Sequence, residues 1–293
     1  MGHKEVGALP LVCWLMLALL ASITPTGPSA SFPPSIEGTS AWEPIGPDGG
    51  DMHFVFITSN HTVIASHGLG GIWRSTDGGA TWELIRQPDL VEAGFLSMDE
   101  ADGVLFAGGN AGIWMSMDDG ASWKRIETNI PTHDEGPPVY EIVSIVAINS
   151  THLYASVRVN PAALASGKPV QPFEGVFELF LRDDLLDVMI THKPPFSSDI
   201  NAVVMLDYDP DFHGSPALFV SSSVHGLYMI RGLGEASGSW TWELVLDKKT
   251  TRVAVDKEND IVYVGTLDEW FWRGELTGSS WSWSQLVPEG VSG

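Results

Sequence analysis

Cysteine and basic residues are the two classes that this 293-residue sequence has least of. Its single cysteine, Cys13, lies in an apolar run near the N-terminus, so the remainder of the chain must be stabilised by packing rather than by disulfides. Lysine and arginine number 15 against 37 acidic residues, for a formal charge of −22. Because nucleic acids and anionic membranes bind Lys- and Arg-rich faces, the sequence predicts neither as a partner.

Long segments with the 3.6-residue periodicity of an amphipathic helix are also missing outside the N-terminus. The chain instead has 12 tryptophans and 31 glycines, a composition that favours sheets and tight turns. No histidines and carboxylates have the local spacing typical of a metal site. We therefore predict no metal and no cofactor.

The N-terminus has the features of a targeting segment. Lys4 precedes an apolar run over 9–21, and small and turn-forming residues follow. This order predicts a signal peptide over 1–30 and a linker over 31–40, with an uncleaved membrane anchor as the alternative. We therefore expect a secreted or extracytoplasmic protein that has no membrane contact beyond this segment.

Tryptophans repeat at a nearly constant interval along the chain. Trp42, Trp82 and Trp123 are 40 and 41 residues apart, and Trp242 and Trp283 are again 41 apart. Each period contains four short apolar runs, which is typical of one β-propeller blade. We predict an all-β propeller of four-stranded antiparallel blades over 41–293. It would have five visible blades and an additional N-terminal outer strand at 41–45, as in a truncated six- or seven-bladed parent; a closed five-bladed ring is the alternative.

The four runs of a period differ in their patterns. The first is almost wholly apolar, as in YEIVSIVAI at 140–148, and predicts an innermost strand that is buried on both faces. The fourth alternates, as in TWELI at 81–85, and predicts an outer strand that faces solvent on one side.

The pattern Ser-x-Asp-x-Gly-x-(Thr/Ser)-Trp occurs twice, between the third and fourth runs. In such a hairpin the aspartate can accept backbone N–H groups of its own turn, and the glycine can supply a positive φ. We predict that the tryptophan begins the outer strand and packs against the next blade, and that the aspartates have a structural rather than a catalytic role. The motif residues are Ser75, Asp77, Gly79, Thr81 and Trp82, then Ser116, Asp118, Gly120, Ser122 and Trp123.

These two stretches resemble the Asp-box, or BNR repeat, of sialidase-like, xyloglucanase-like and VPS10-like propellers. The resemblance extends over about residues 41–285 and includes degenerate copies, GSWTW and SSWSW, in later blades. It implies a propeller whose boxes lie on the face away from the active site.

The opposite face, built from the turns between second and third strands and from the blade-to-blade linkers, is therefore the predicted functional site. It includes a long loop over 159–175 that one blade alone contains; this loop is either modified for binding or a tolerated insertion. The candidate ligand-binding residues are His67, His133, Arg158, His225 and Trp270, and the weaker catalytic candidates are Asp134, Asp268 and Glu269.

The resemblance to hydrolases is incomplete at the residues that would carry catalysis. Sialidases have an early Arg-Ile-Pro motif and an arginine cluster, whereas here most arginines fall on third and fourth strands. Xyloglucanase-like enzymes have an aspartate just before a Gly-Gly turn, where SHGLGG of this chain has Gly68. We therefore expect an exported, non-catalytic scaffold that binds a glycan or a protein. The alternative is a glycoside hydrolase that acts on extracellular polysaccharide.

Overall fold

The computed structural model describes residues 46–47, 52–67, 71–110, 112–128, 140–160, 165, 175–182, 185–192, 203–233 and 240–287. All of them belong to the unit Ile45–Gly293. The predicted signal peptide, the linker and the strand at 41–45 lie outside these residues. No helix within the described ranges is long and apolar enough to cross a membrane.

Five four-stranded antiparallel sheets follow one another along the described chain, and each is a propeller blade. The first contains β1 (Met52–Ile57), β2 (Val63–His67), β3 (Ile72–Ser75) and β4 (Glu83–Ile85). The second contains β5 (Phe95–Ala101), β6 (Val104–Gly109), β7 (Gly112–Ser116) and β8 (Lys124–Thr128). The third contains β9 (Tyr140–Asn149), β10 (His152–Val159), β11 (Gly175–Arg182) and β12 (Leu185–His192).

The last two blades complete the predicted set of five. The fourth contains β13 (Val203–Asp209), β14 (Ala217–Ser222), β15 (Gly226–Arg231) and β16 (Thr241–Leu246). The fifth contains β17 (Thr250–Asp256), β18 (Ile261–Thr266), β19 (Phe271–Thr277) and β20 (Ser280–Leu286). Short 3-10 turns occupy Pro88–Glu92 and Phe212–Gly214, and a short parallel pairing joins β8 to β12. The all-β, four-stranded-blade prediction is confirmed.

The innermost strands share a bulge at the same position. The ladder of each innermost strand shifts register near its start, as between Phe95 and Ser97 or between Thr250 and Arg252. In β9, which begins two residues earlier, the same shift lies between Ile142 and Ser144. A bulge adds one residue and increases the local twist of the strand. Because the bulge recurs, it identifies the equivalent residues of the five blades. The set of equivalent positions just after the bulge is Phe54, Ser97, Ser144, Met205 and Arg252.

Side-chain oxygens on one innermost strand bind backbone N–H groups of the next. The Ser97 hydroxyl accepts a bond from the Ile145 N–H at 3.0 Å, and the Asp99 carboxylate accepts one from the Ala147 N–H at 2.8 Å. These N–H groups lie on an edge of their own sheet, where they would otherwise lack a ladder partner. The same arrangement recurs as Ser144 with Leu206 at 3.0 Å and Asp207 with Val255 at 2.7 Å.

Apolar cores lie between the blades. One cluster holds Ile64 of the first blade with Phe95 and Trp114 of the second, and similar clusters join each later pair. Each blade is therefore stabilised mainly by its neighbours, as in other repeat proteins.

The expectation that innermost strands are buried on both faces is confirmed for β9, in which residues 140–146 are all buried. It is wrong for β1, where Val55 and Ile57 are 59% and 64% exposed. Both side chains point to where a preceding blade would pack, and no described residue covers them. The apolar pattern of the run therefore predicts that it forms an innermost strand. Whether its side chains are buried depends on the presence of a neighbouring blade.

Candidate functional site

The first motif turn is closed by the carboxylate of Asp77. Its Oδ1 accepts bonds from the Ser75 hydroxyl and the Thr81 N–H, both at 2.8 Å, and its Oδ2 accepts the Thr81 hydroxyl at 2.6 Å. Gly79 has φ +93° and donates its N–H to the Ser75 hydroxyl at 2.8 Å. The bonds from Thr81, followed by that from Ser75, lower the pKa of Asp77 to about 2. The carboxylate is thus held ionised by its own turn.

The second motif turn repeats this geometry. Asp118 accepts the Ser116 hydroxyl at 2.8 Å, the Ser122 N–H at 2.8 Å and the Ser122 hydroxyl at 2.6 Å. Gly120 has φ +83°, and its N–H donates to the Ser116 hydroxyl at 2.9 Å. Partial burial opposes ionisation, but the bonds from Ser122 and Ser116 outweigh it and lower the pKa of Asp118. Two aspartates 41 residues apart are therefore bound in the same way.

The sequence predicted that the motif tryptophans begin the outer strands, and this is wrong. The strands β4 and β8 start one residue later, at Glu83 and Lys124. The Trp123 N–H donates to the Gln87 side chain at 3.1 Å, so it is not available to the ladder. The Trp123 ring meets Phe95 edge-on at 5.1 Å in the core shared with the first blade. Trp123 therefore packs against the preceding blade, and the predicted contact with the next blade is wrong.

Asp119, which the sequence analysis missed, joins the second motif turn to the first blade. Its carbonyl accepts the Arg74 Nε at 2.8 Å, and its carboxylate pairs with the Arg74 guanidinium at 3.4 Å and accepts the Thr62 hydroxyl. Asp119 has φ +57°, a conformation that Asn and Asp adopt more readily than most residues. The first motif has Gly78 at the equivalent position. No local pattern shows this contact, because its partners lie 45 and 57 residues away.

The predicted binding residues that the structure describes lie at the opposite ends of the strands from the motif turns. His67 ends β2, His225 lies between β14 and β15, and Asp268, Glu269 and Trp270 lie between β18 and β19. Because consecutive strands are antiparallel, these turns share one end of the blades. We name this end the linker face, since the blade-to-blade connections return there. His133 and Asp134 lie outside the described residues, as does most of the loop 159–175.

Arg158 is already engaged by a carboxylate of its own blade. Its Nε donates to Glu141 Oε2 at 2.8 Å, and the Glu141 side chain is 8% exposed. The guanidinium therefore neutralises a nearly buried acid, and its Nε donor is not available to a ligand.

Both carboxylates of the β18–β19 turn are paired with lysines of the linker before β17. Lys248 Nζ lies 2.6 Å from Glu269 Oε1, and Lys249 Nζ lies 3.7 Å from Asp268 Oδ2. Trp272 Nε1 also donates to Glu269 Oε2 at 3.1 Å, and Lys248 Nζ lies 5.5 Å from the Trp272 ring centre. Sequence reasoning missed Lys248, Lys249 and Trp272. The only signal in the sequence is the pair of adjacent lysines, Lys248 and Lys249, in the linker between the fourth and fifth blades.

Beside these ion pairs the turn carries exposed apolar side chains. Leu267, Trp270 and Phe271 are 56%, 40% and 59% exposed. The Thr266 hydroxyl is within hydrogen-bonding distance of the carbonyls of Glu269 and Trp270, at 2.7 and 2.9 Å, which ties it to the turn. Exposed apolar groups next to charged ones are typical of interaction sites.

The innermost strands of all five blades surround a central cavity of about 340 Å³. Asp99 and Asp207 line it, and burial raises the pKa of both, against the N–H bonds that they accept and the positive charge of Lys257. Each carboxylate accepts one N–H of the next blade and one of its own strand. Within the described residues, no group of three or more His, Cys, Asp or Glu is placed to hold a metal ion.

Comparison with known proteins identifies the fold but no family. No family model matches the chain, and no curated protein matches it. Among solved structures, an ancestral GH74 enzyme aligns with TM-score 0.56 at 16% identity, over 78% of this chain and 34% of the enzyme. The extracellular domain assigned to a one-component system of B. thetaiotaomicron aligns with TM-score 0.58 at 13% identity, over 83% of this chain and 32% of that one.

A third structure is the β-propeller domain of Cps50 (Swd1) from Myceliophteria thermophila. It aligns with TM-score 0.53 at 9% identity, over 84% of this chain and 69% of that domain. The chain spans only about a third of the first two structures. At these identities the likeness shows the fold alone, and the protein is a β-propeller.

Proposed function

We propose that this chain is an exported, non-catalytic β-propeller that binds a glycan through its linker face. The observation that carries the proposal is the β18–β19 turn. There, Trp270 offers an exposed aromatic surface on which a sugar ring could stack, and Asp268, Glu269 and their lysine partners offer hydrogen-bonding groups beside it. Sites for small polar ligands combine an apolar surface with a few oriented polar groups. A protein partner that inserts an apolar side chain is the alternative ligand.

The pairing of the carboxylates supports a binding rather than a catalytic role. Glycoside hydrolysis needs two carboxyl groups on either side of the scissile bond, one of them available to donate a proton. Asp268 and Glu269 are adjacent in sequence, and each lies beside a lysine. The motif aspartates Asp77 and Asp118 are bound within their own turns, which supports a structural role for them and the Asp-box assignment of both motifs.

Export is part of this proposal. The apolar segment within 1–30 supports a signal peptide, with 31–40 as a linker and 41–293 as the propeller. The GH74 enzyme and the extracellular domain among the aligned structures are consistent with a glycan-related, extracytoplasmic role.

A glycoside hydrolase is the second candidate, and the central cavity is the observation that favours it. Asp99 and Asp207 both reach this cavity, and both have a raised pKa, as a general acid requires. Against this, all four of their oxygens already accept backbone N–H groups.

Binding and turnover should be measured on the same preparation. We expect binding to at least one glycan on an array, with no release of reducing ends from mixed polysaccharides. Trp270→Ala should weaken that binding at least tenfold, whereas Met117→Ala, at an equally apolar and 71% exposed position on a motif turn, should not. Turnover that Asp99→Asn or Asp207→Asn abolishes would favour the hydrolase. Binding that Trp270→Ala leaves intact would contradict the proposed site.

A further inference from the structure

Two turns between a first and a second strand carry the only Asn-x-Ser/Thr triplets of the sequence. One triplet begins at Asn60, between β1 and β2, and the other at Asn149, between β9 and β10. Because consecutive strands are antiparallel, both turns lie at the end of the blades that carries the Asp77 and Asp118 turns. We name this end the motif face. In an exported chain such a triplet is the acceptor sequence for an N-linked glycan.

The Asn149 turn is closed by the asparagine side chain. Asn149 Oδ1 accepts the Thr151 N–H at 2.9 Å and the Thr151 hydroxyl at 3.0 Å. The Ser150 N–H donates to Asp102 Oδ2 of the second blade at 3.0 Å, which fixes the turn against that blade. Since Oδ1 is directed at Thr151, the other terminal atom of the amide, Nδ2, is directed away from it. An N-linked sugar is joined to this nitrogen.

The third blade, which carries this turn, has a neighbour on either side. Apolar clusters join it to the second blade and to the fourth, so the surroundings of the turn do not depend on the first or the last blade. Thr151 is exposed, and Asn149 and Ser150 are half-buried. The triplet therefore lies at the surface of the folded chain, where a bulky hydrophilic group can be accommodated.

An aspartate would close this turn equally well. In the corresponding turn of the fourth blade, Asp209 Oδ1 accepts the Asp211 N–H at 2.9 Å. In that of the fifth blade, Asp256 Oδ1 accepts the Glu258 N–H at 3.2 Å. Each is the same bond to the residue two positions further on, so the backbone needs a side-chain oxygen and no amide nitrogen. What Asn149 adds to the turn is Nδ2.

The triplet at Asn60 has its hydroxyl engaged elsewhere. Thr62 is 2% exposed, and its hydroxyl donates to the Asp119 carboxylate of the second blade. The hydroxyl of the third residue is part of what defines the acceptor sequence. Asn149 is therefore the better acceptor of the two in the folded chain.

We propose that Asn149 is an N-glycosylation site and that its glycan lies on the motif face, which leaves the linker face open to a ligand. This rests on the export that is part of the proposed function. The donor is an oligosaccharide linked to a polyprenyl diphosphate. Asn149 Nδ2 forms a bond to the anomeric carbon of the first sugar as the bond from that carbon to the diphosphate oxygen breaks. Nδ2 loses one proton to solvent, and the lipid diphosphate leaves with the electron pair.

The test uses the full chain, expressed in cultured eukaryotic cells and recovered from the medium or the secretory compartments. A second chain, in which a secretory signal of the host replaces residues 1–30, is expressed in parallel. Release of N-glycans by a peptide amidase in water labelled with heavy oxygen converts a glycosylated asparagine to labelled aspartate, which peptide masses locate. We expect Asn149 to be converted in most molecules. Asn259, exposed in the β17–β18 turn but with Ile261 two positions further on, should remain unconverted.

Three variants separate modification from the structure of the turn. Asn149→Asp keeps the oxygen that Thr151 binds and removes the amide nitrogen. It should be secreted with no glycan at this position and should have the urea midpoint of wild-type protein made without glycans in bacteria. Thr151→Ala should also lose the glycan, whereas Thr151→Ser, which keeps the hydroxyl, should retain it.

The outcomes distinguish the site from export. A secretory chain with unmodified Asn149 overturns the proposal, whichever signal directed it. A native chain that stays in the cytosol, while the chain with the host signal is glycosylated at Asn149, supports the site and contradicts the proposed export. Ligand binding at Trp270 that is observed only after the glycan is removed would overturn the placement of the glycan away from the linker face.

Discussion

At the scale of single residues, Asp118 shows how one carboxylate organises a hairpin. It accepts three hydrogen bonds within seven residues of chain, two from Ser122 and one from Ser116. We expect Asp118→Ala to lower the free energy of unfolding by about 1–2 kcal/mol, since those donors lose their acceptor where water can partly replace it. Urea denaturation measures this change. Met117→Ala in the same turn is the control and should change stability by less than about 0.5 kcal/mol.

Glycan binding should be unaffected by Asp118→Ala. Loss of binding together with unchanged stability would contradict a structural role for this residue.

The motif aspartates also determine part of the response to acid. The pKa of Asp77 is lowered to about 2 from its ordinary 3.8, so its stabilising contribution is present above pH 3.8 and is lost as the pH falls towards 2. We expect Asp77→Asn to be less stable than the wild type at pH 6, and the difference to shrink between pH 4 and 2. Denaturation curves across this range measure it.

The effect of Asp99 on stability should change with pH in the opposite direction to that of Asp77. Because burial raises the pKa of Asp99, its ionisation costs folding free energy as the pH rises above 3.8. As the pH rises above 3.8, the stability of Asp99→Asn should therefore increase relative to that of the wild type. Any loss from altered hydrogen bonds is independent of pH and shifts the whole difference by a constant. Parallel pH profiles for both variants and the wild type would contradict the assigned pKa directions.

Residue roles were predictable where all partners lie in one turn. The Ser-x-Asp-x-Gly pattern indicated the Asp77 bonds because their donors are two and four residues away. The same reasoning could not find Asp119, whose partners Arg74 and Thr62 become neighbours only when two blades pack. The lysine partners of Asp268 and Glu269 were missed because they become neighbours only when β17 pairs with β18 within the last blade.

At the scale of strands and blades, glycine marks places where a neighbouring side chain occupies the space of a Cβ. A Cβ on Gly274 would lie 2.5–2.7 Å from ring atoms of Trp283 on the facing strand. That ring cannot easily move, because it stacks on Trp281 at 5.3 Å and donates its Nε1 to the Val245 carbonyl at 2.8 Å. Gly274 is therefore a packing requirement of the last blade.

We expect Gly274→Ala to destabilise the protein by about 1–3 kcal/mol through overpacking, with a change in tryptophan fluorescence. Gly265→Ala in the same blade is the matched control. Its Cβ would make only ordinary contacts at 3.5 Å, so stability should change little. Equal effects of the two variants would exclude a role for the Trp283 contact.

The order and number of strands in each blade were predictable, because apolar runs and turns alternate clearly along the chain. Strand starts were less predictable. The outer strands begin after Trp82 and Trp123, and at Trp123 the reason is that a side chain of the preceding linker, Gln87, accepts the backbone N–H. Burial of a given run also depended on its neighbour, as the exposed Val55 and Ile57 show.

At the scale of the whole molecule, stability is a sum over interfaces between blades. The first and second blades are joined by an apolar cluster, by Arg74, Thr62 and Asp119, and by Ser59, whose N–H donates to Glu100 Oε2 at 2.6 Å. Later blades are joined instead by side-chain oxygens at the Ser97 and Asp99 positions of the preceding innermost strand. In the first blade the residues equivalent to Ser97 and Asp99 are Phe54 and Phe56, which have no acceptor oxygen. The Arg74–Asp119 contact should therefore matter more for this junction than a surface ion pair usually does.

A double-mutant cycle tests this conclusion. Arg74→Ala and Asp119→Ala should each destabilise the protein by about 1–2 kcal/mol, and the double variant should cost less than their sum, because both single changes remove the same side-chain ion pair. Amide exchange should quicken in β1–β4 and stay unchanged in β13–β20, since a blade that loses one junction opens locally before the rest unfolds. Uniform acceleration across all five blades would mean that the blades unfold as one cooperative unit and that this contact does not secure the first blade in particular.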